Sequence, residues 1–313
     1  MSYSHNKTIK IGTRGSALAL TQTRGVAAAI AERHSGLQLE IITIKTTGDK
    51  MQDVSLAKIG GKGVFVKEIE EALLRNEIDL AVHSMKDVPS EIPEALEIAV
   101  VPEREDPRDV LISRENRKLE ELPAGARIGT GSLRRGIQLK NRFPQIEIVP
   151  IRGNLDTRIR KIETQGLDGV ILAAAGLGRL GWNDRISQFI PEDIMIPAIG
   201  QGALALEMRK DDEFVKEKTA FLNHEQSRIT ASAERAFLKV FGGGCQLPIA
   251  AHAKLEDGRL RLVGLIGNLD GTKIIRDEII GSEEESESLG GELAEKMLSS
   301  GGREILKELV TSK

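Results

Sequence analysis

The chain has 313 residues, which corresponds to about two domains or up to three small ones and is long enough to bury a core without disulfide bonds. Its 40% hydrophobic and 29% charged residues exclude intrinsic disorder, collagen and a coiled coil for the chain as a whole, and no apolar run is long enough for a membrane-spanning helix. The net charge of −3 indicates no general attraction to nucleic acid or anionic membranes, and the single cysteine excludes internal disulfides and cysteine-based metal clusters. The N-terminal residues show no signal-peptide pattern, so we expect a cytoplasmic protein.

The first hundred residues alternate between strand and helix patterns. In order, they predict a strand at 8–11, a helix at 17–32, a strand at 37–46, a helix at 64–76 and a strand at 80–82. The segment 47–63 is predicted to be a polar, glycine-containing loop. Strands that alternate with helices indicate βαβ units and a mostly parallel sheet.

A second opening of the same kind follows. Ile128-Gly129-Thr130-Gly131-Ser132 is similar to Ile11-Gly12-Thr13-Arg14-Gly15-Ser16, and each lies between a predicted strand and a predicted helix. Further signals are a strand at 146–149, a helix at 158–165 and a strand at 170–173. The repetition predicts two related α/β lobes.

The last third has a different pattern. A helix is predicted at 227–241 and ends at Gly242-Gly243-Gly244, which is typical of a helix stop. Three strands are predicted at 249–255, 259–266 and 273–280, separated by the hairpin signals Asp257-Gly258 and Asp270-Gly271. An acidic loop at 282–288 precedes two closing helices. This pattern predicts a small α+β domain with an antiparallel sheet.

Cationic residues gather beside glycines at strand ends and in loops, where open α/β sheets bind ligands. Because arginine binds carboxylates and phosphates in bidentate fashion, the set predicts a cleft for a ligand with several such groups. For any single residue, a solvated surface charge is the alternative. Arg134 and Arg135 fall in the first turn of a helix whose amides and Ser132 hydroxyl are expected to hold an anion. The full set is Arg14, Lys58, Lys62, Lys86, Arg134, Arg135, Arg152, Arg158 and Arg179.

Two single residues allow two interpretations each. Asp87 directly follows a lysine just past a strand, and it is either a general acid or base or a cap for the turn before Pro89. Cys245 lies in a glycine loop, where it is either an inert thiol or a nucleophile or attachment point. The five histidines show no metal-ligand spacing, so no metal site is predicted.

Several longer motifs occur in a fixed order along the chain. They are TRGSALAL (13–20), LAKIGGKGVFVKEIE (56–70), DLAVHSMKDVP (79–89), EREDPRD (103–109), GTGSLRR (129–135), RGNLDTR (152–158), LAAAGLGRLG (172–181), PAIGQGALALE (197–207) and GGGCQLPIA (242–250). Through them the chain resembles the porphobilinogen deaminase (hydroxymethylbilane synthase) family over nearly its whole length. It departs at Thr47, where some relatives carry arginine, and at Gly131, where serine is common; both concern binding detail.

The resemblance implies a transferase reaction in tetrapyrrole biosynthesis. Four porphobilinogen molecules condense head to tail, each losing ammonia, to give the linear hydroxymethylbilane. It also implies a covalent dipyrromethane cofactor, built from the enzyme's own substrate and held by a thioether to Cys245. Asp87 then becomes the catalytic carboxylate, which assists ammonia loss, stabilises the cationic pyrrole nitrogens of an azafulvene-like intermediate and accepts the ring proton.

The resemblance also assigns the binding residues. Further cofactor-binding residues would be Ser16, Lys86, Ser132, Arg134, Arg135 and Gly176. Substrate-binding residues would be Arg14, Lys58, Lys62, Arg152, Arg158 and Arg179. Every pyrrole ring carries an acetate and a propionate, which agrees with the cation-lined cleft predicted from the residues alone.

The implied architecture has three domains. Lobe 1 (1–102 and 200–222) and lobe 2 (103–199) would be doubly wound, like periplasmic binding proteins, with the catalytic cleft between them. The third domain (223–313) would carry Cys245 and a three-stranded antiparallel sheet. We expect a monomer that passes its product to uroporphyrinogen III synthase and binds neither nucleic acid nor membrane.

Two other functions fit part of the pattern. A two-lobed polycarboxylate-binding module without turnover would use the lobes and the cations but leave Cys245 without a role. An unrelated thiol-nucleophile enzyme would need a base near Cys245, and the nearest histidine in sequence, His252, has no clear partner.

Overall fold

A computed structural model describes residues 8–50, 63–242 and 247–311. The described chain divides into two compact units. The first comprises 8–50, 63–104 and 203–228, and the second comprises 105–202, 229–242 and 247–311. Among the described residues, no helix is both long enough and apolar enough to cross a membrane.

The first unit is built on a five-stranded sheet with the order β2-β1-β3-β10-β4. Its strands are β1 (Thr8–Arg14), β2 (Gln38–Ile44), β3 (Leu80–Ser84), β4 (Leu96–Val100) and β10 (Leu204–Arg209). Its helices are α1 (Ala17–Arg33), α2 (Thr47–Lys50), α3 (Lys67–Leu74) and α7 (Glu213–Thr219). Helix α1 begins at the predicted place because the Ser16 hydroxyl accepts a hydrogen bond from the Ala19 amide at 3.2 Å.

Helices cover both faces of this sheet. Ile11 of β1 packs with Val26 and Ile30 of α1 in one buried cluster. On the other face, Ile69 and Leu73 of α3 pack with Ala81 of β3, as their helical spacing predicts. Burial of apolar side chains on both faces fixes β3 as an inner strand, and the functional residues follow from its end.

The second unit contains a matching five-stranded sheet with the order β7-β6-β8-β5-β9. Its strands are β5 (Asp109–Ser113), β6 (Arg127–Gly129), β7 (Glu147–Val149), β8 (Gly169–Ala173) and β9 (Gln188–Phe189). The helices along it are α4 (Leu133–Arg142), α5 (Leu155–Thr164) and α6 (Ala174–Arg179). Leu139 of α4 lies in one buried cluster and Ile162 of α5 in another, so both faces are again covered.

The two sheets have the same topology. In each, one strand (β10 in the first, β5 in the second) runs antiparallel to both of its neighbours, and the remaining pairs are parallel. Strands β1 and β6 occupy equivalent positions in the two sheets, and each leads into one of the two similar sequence openings. The predicted pair of related α/β lobes with mostly parallel sheets is therefore confirmed, with one reversed strand in each sheet.

A separate antiparallel sheet completes the second unit. It consists of β11 (Ile249–Glu256), β12 (Arg259–Gly267) and β13 (Ile274–Gly281), packed against α8 (Glu225–Val240), α9 (Ser286–Met297) and α10 (Arg303–Thr311). The first hairpin turns at Asp257 and Gly258, both with positive φ (50° and 73°), as the sequence predicts. Helix α8 ends at Val240, and Gly242 follows two residues later with a φ of 76°. The predicted fold class is confirmed.

Two predicted loops contain helical structure. Residues 47–50 form the one-turn helix α2, because the Thr46 hydroxyl donates to Asp49 and fixes the turn. The rest of that loop, 51–62, lies outside the described residues. In the acidic segment at 282–288, α9 already begins at Ser286, and acidic residues before a helix start are favoured by the helix dipole.

Two helices begin earlier than their patterns predict, α5 by three residues and α8 by two. Helix α5 starts at Leu155 rather than at 158, since Asn154 takes the extended conformation of an N-cap residue. The lobe boundaries that the resemblance implies stay predictions, because the compact units place lobe 2 and the C-terminal sheet together.

Candidate active site

Asp87 lies on a short turn directly after β3. Residues Met85–Asp87 form a single 3₁₀ turn, closed by a hydrogen bond from the Val88 amide to the Met85 carbonyl. The Met85 amide donates to the Ala203 carbonyl at 3.0 Å, and the Ser84 hydroxyl exchanges hydrogen bonds with the Gln22 side chain of α1. The turn is thus attached to the neighbouring strand and helix, while the Asp87 side chain is one-third exposed.

Arg14 lies at the end of β1 between two carboxylates. Its Nη2 donates to Asp49 at 2.6 Å, and its Nη1 lies 4.0 Å from Asp87 Oδ2. Its guanidinium also stacks on the Phe65 ring, 4.1 Å from the ring centroid. Arg14 is therefore held on two sides in an orientation that brings its third edge toward Asp87.

Asp49 keeps its negative charge in this arrangement. Burial alone would raise its pKa, but the hydrogen bond and charge of Arg14 and the Thr46 hydroxyl outweigh burial and hold the pKa below its ordinary value of 3.8. The carboxylate thus acts as the fixed partner of Arg14.

The second unit contains a different charge cluster. Arg134 and Arg135, in the first turn of α4, both bind Asp109 at the start of β5, each at 2.7 Å. Arg134 Nη1 also donates to the Ile196 carbonyl, and Gln201 donates to Asp109 at 3.0 Å. The anion site expected at the helix amides and the Ser132 hydroxyl stays a prediction, and the structure adds that both guanidiniums bind a carboxylate of the chain itself.

This cluster is buried and carries excess positive charge. Arg134 and Arg135 are only 4% and 5% exposed, and Asp109 is fully buried. Burial alone would raise the pKa of Asp109, but the two guanidiniums hold it well below its usual value of 3.8, so the carboxylate is ionised. Two cations share one anion, and Arg134 Nε is buried without a hydrogen-bond partner among the described residues.

The remaining predicted cations of this unit lie in one loop and on two helices. Arg152 precedes α5, and burial lowers its pKa from the usual arginine value. Arg158 of α5 donates from Nε to the Gly153 carbonyl at 2.7 Å. Arg179, at the end of α6, donates to the Gly202 carbonyl at 2.8 Å; burial lowers its pKa, although the charge of Glu105 acts in the opposite direction.

The other predicted positions divide into described and undescribed residues. Ser16 caps α1, Lys86 lies in the 3₁₀ turn, Ser132 is the N-cap residue of α4 and Gly176 is buried in α6. Lys58, Lys62 and Cys245 lie outside the described residues. Among the described residues, no group of three or more His, Asp or Glu is arranged to hold a metal ion.

Sequence reasoning missed three carboxylates that organise these sites. Asp49 and Asp109 each fix an arginine that was predicted, and Glu207 binds His83 at 3.0 Å behind the Asp87 turn. Asp109 stands in the quoted EREDPRD motif and Glu207 in PAIGQGALALE. A carboxylate inside an otherwise apolar strand is the signal that would have identified Glu207.

Two family models match the chain. The first, described as "Porphobilinogen deaminase, dipyromethane cofactor binding domain", matches residues 9–217. The second, described as "Porphobilinogen deaminase, C-terminal domain", matches residues 228–299.

The buried cluster of the second unit tests whether this chain suits such a cofactor. Dipyrromethane carries an acetate and a propionate on each pyrrole ring, so it is a polyanion. Arg134, Arg135 and Asp109 have one excess positive charge, and the buried Nε of Arg134 has no partner among the described residues. One incoming carboxylate would satisfy both, so the residues present fit the group.

Named relatives agree with the family models. The chain is 58% identical to the porphobilinogen deaminase of Syntrophus aciditrophicus, covering 96% of this chain and 98% of the relative, and 53% identical to that of Pelobacter propionicus, covering 96% and 97%. Among solved structures, the periplasmic VFT2 domain of Bordetella pertussis BvgS is 14% identical with a TM-score of 0.41, covering 73% of this chain and 92% of that one. From the family models and the named relatives, we conclude that the chain belongs to the porphobilinogen deaminase family.

Proposed function

We propose that the chain condenses four porphobilinogen molecules head to tail, with loss of ammonia at each step, to hydroxymethylbilane. The observation that carries this proposal is the buried cluster of Arg134, Arg135 and Asp109, whose excess positive charge calls for a carboxylate from outside the chain. Both the substrate and the dipyrromethane cofactor supply carboxylates. When bound, the cofactor supplies the pyrrole carbon to which the first substrate is joined.

Asp87 is the proposed catalytic carboxylate. Its turn is fixed by hydrogen bonds to Ala203 and Gln22, while its side chain remains one-third exposed and can meet a substrate. A fixed carboxylate stabilises positive charge that develops on a pyrrole nitrogen, and it can take up the ring proton after coupling. The guanidinium of Arg14 lies 4.0 Å from this carboxylate.

The cationic residues bind the acetates and propionates of successive rings. Arg14, Lys58, Lys62, Arg152, Arg158 and Arg179 are proposed for the substrate. Ser16, Lys86, Ser132, Arg134, Arg135 and Gly176 are proposed for the cofactor, with a thioether to Cys245. Arg134 is the best supported of the described set, because its buried Nε would gain a partner from the cofactor.

Finer properties follow from the same proposal. Lobe 1 would comprise 1–102 and 200–222, lobe 2 would comprise 103–199, and 223–313 would form the domain that carries Cys245. The enzyme would act as a cytoplasmic monomer and pass its product to uroporphyrinogen III synthase.

The intact mass of the native protein tests the attachment. We expect a mass above that of the sequence by two pyrrole units, a colour reaction with Ehrlich's reagent, and a thiol that does not react with alkylating reagents. Cys245→Ser should have the bare mass of its sequence and give no colour. An active wild-type protein with the bare sequence mass and a titratable thiol would exclude the thioether.

Turnover is measured in parallel as ammonia release from porphobilinogen. A protein that binds porphobilinogen but releases no ammonia would instead be the two-lobed binding module. Nothing in the described structure favours that alternative.

A further inference from the structure

A group of three titratable side chains lies behind the Asp87 turn and has no part in the proposed chemistry. His83 of β3 and Glu207 of β10 are buried, and His83 Nε2 lies 3.0 Å from Glu207 Oε2. Glu70 belongs to α3, the helix that covers this side of the sheet, where Ile69 and Leu73 of the same helix pack on Ala81, and the charges of Glu207 and His83 act on it. Three different elements therefore meet at this cluster.

The strand register explains why His83 and Glu207 meet. In the antiparallel pair of β3 and β10, Ala205 is opposite His83 and Glu207 is opposite Ala81. Alternate residues share a face, so His83 and Glu207 both point toward α3 and are diagonal neighbours. His83 directly precedes Ser84 and the turn that carries Asp87.

Two oxygens of this cluster lack partners. Glu70 Oε1 and Glu207 Oε1 are both buried with no hydrogen-bond partner among the described residues. A buried carboxylate oxygen without a donor is strongly disfavoured, and two neighbouring carboxylates cannot both be ionised without repulsion. A single proton held between them removes both problems.

We propose that Glu70 and Glu207 share one proton, and that this pair holds His83 and thereby positions the turn of Asp87. The proposal rests on the proposed function for its catalytic consequence, but the shared proton exists independently of substrate. Glu70, Glu207 and His83 are positioning residues, because they act through the backbone of β3 and do not touch the reacting atoms.

The electrostatics of the cluster agree with a shared proton. Burial and the charge of Glu207 raise the pKa of Glu70 to about 7, while the charge of His83 acts in the opposite direction. The nearest cation on the same face of β10, Arg209, is paired with Asp79 and Asp212, and Glu68 of α3 binds Thr47. Among the described residues, the charged groups that act on Glu70 are thus Glu207 and His83.

Infrared difference spectroscopy on the protein without substrate tests the proton. The wild type should show the carbonyl stretch of a protonated carboxyl group that titrates with a midpoint near pH 7, and Glu70→Gln should lack it. Glu71→Gln, an exposed neighbour on α3, is the matched control and should keep the band. A wild-type spectrum with no such band, or a band that survives in Glu70→Gln, would overturn the shared proton.

Kinetics test the positioning role. Glu70→Gln still offers a donor to Glu207, so its kcat should stay within about twofold of the wild type. Glu70→Leu removes the donor, and its kcat should fall by about 10- to 100-fold with a smaller change in KM, as expected when a catalytic group is misplaced by about 1 Å.

Leu73→Ala loosens the same helix but keeps all three titratable side chains, so it separates positioning from general destabilisation. Positioning is overturned if Glu70→Leu keeps full kcat, or if Leu73→Ala lowers kcat as much as Glu70→Leu does. A wild type without ammonia release, but with a titrating band that is lost in Glu70→Gln, would refute the proposed function and leave the shared proton standing.

Discussion

Asp109→Asn removes the one negative charge that Arg134 and Arg135 share. Asparagine has nearly the same size and can still accept a hydrogen bond, so the change isolates the charge. Asp109 is fully buried and both arginines are 5% exposed or less, which leaves little solvent to replace the lost carboxylate. We expect the second unit to be strongly destabilised.

The magnitude follows from the burial of the pair. Removal of one partner from a buried ion pair typically costs about 3–5 kcal/mol, because a charge remains buried without compensation. Here two guanidiniums are left, so the upper part of that range applies. An exposed pair contributes only about 0.2–1 kcal/mol, and Asp156–Arg160 on α5 is such a pair in the same lobe.

The effect should depend on pH in one direction. The guanidiniums hold the pKa of Asp109 well below 3.8 in the folded protein, so the unfolded chain binds this proton at a higher pH than the folded one does. The stabilisation from Asp109 is then fully present above about pH 4 and is lost as the pH falls toward the folded pKa. The difference between wild type and Asp109→Asn should shrink in that acidic window and stay constant above it.

Urea unfolding followed by tryptophan fluorescence measures this difference. Trp182 is the single tryptophan of the chain and packs against the core of the same lobe, so its signal reports on that lobe. Asp156→Asn serves as the matched control and should lie within about 1 kcal/mol of the wild type. If Asp109→Asn and Asp156→Asn shift the transition equally, Asp109 does not hold the arginines as the structure indicates.

Three further outcomes are expected. Asp87→Asn should lower turnover by about 10²–10⁴-fold while the urea transition is unchanged, and near-normal turnover would make Asp87 a turn residue only. Arg134→Leu should reduce the fraction of protein that carries the cofactor mass, and a loss no larger than that of the exposed Arg303→Leu would contradict a role in cofactor binding. Glu192→Gln should destabilise the protein near neutral pH, and the destabilisation should become smaller as the pH falls from 4.5 toward 2. Burial alone would raise the pKa of Glu192, but the His252 imidazole and the Lys254 ammonium group of β11 hold this pKa at about 2. Equal destabilisation at pH 7 and pH 3 would contradict that last result.

Local signals in the sequence predicted most of the elements. The Ser16 cap, the Asp257-Gly258 turn and the stop at Gly242 each depend on residues within a few positions of one another. The strand reversals could not be predicted in this way, because β10 enters the first sheet more than a hundred residues after its neighbours β3 and β4. The repeated opening indicated two similar lobes but not the direction of their inserted strands.

The same distinction between local and long-range signals applies to the residues of the candidate site. The arginines were identified because they stand beside glycines at strand ends, which is a local pattern. Their partners were not, since Asp109 lies 25 residues from Arg134 and Glu207 lies 124 residues from His83. Tertiary packing alone brings these charges together. Because the arginines are buried and paired, they stabilise the structure in addition to their proposed role in ligand binding.

The two lobes contain similar sequence openings, but the charged residues beside the two openings differ. The opening at 11–16 is one residue longer than the similar opening at 128–132, and the added residue is Arg14, the last residue of β1. The shorter opening is tight, since a Cβ at Gly131 would lie 2.5 Å from the Ile151 carbonyl oxygen, and its cations stand instead in the first turn of α4.

In the first lobe the added arginine lies between the carboxylates Asp49 and Asp87, so one cation meets two carboxylates, which suits the stabilisation of a cation. In the second lobe two arginines share one carboxylate, so positive charge predominates and suits the binding of carboxylates. The reaction has a cationic pyrrole intermediate whose rings keep their acetates and propionates, so it needs both kinds of site. The two similar openings that lead to these sites differ in length by one residue, Arg14.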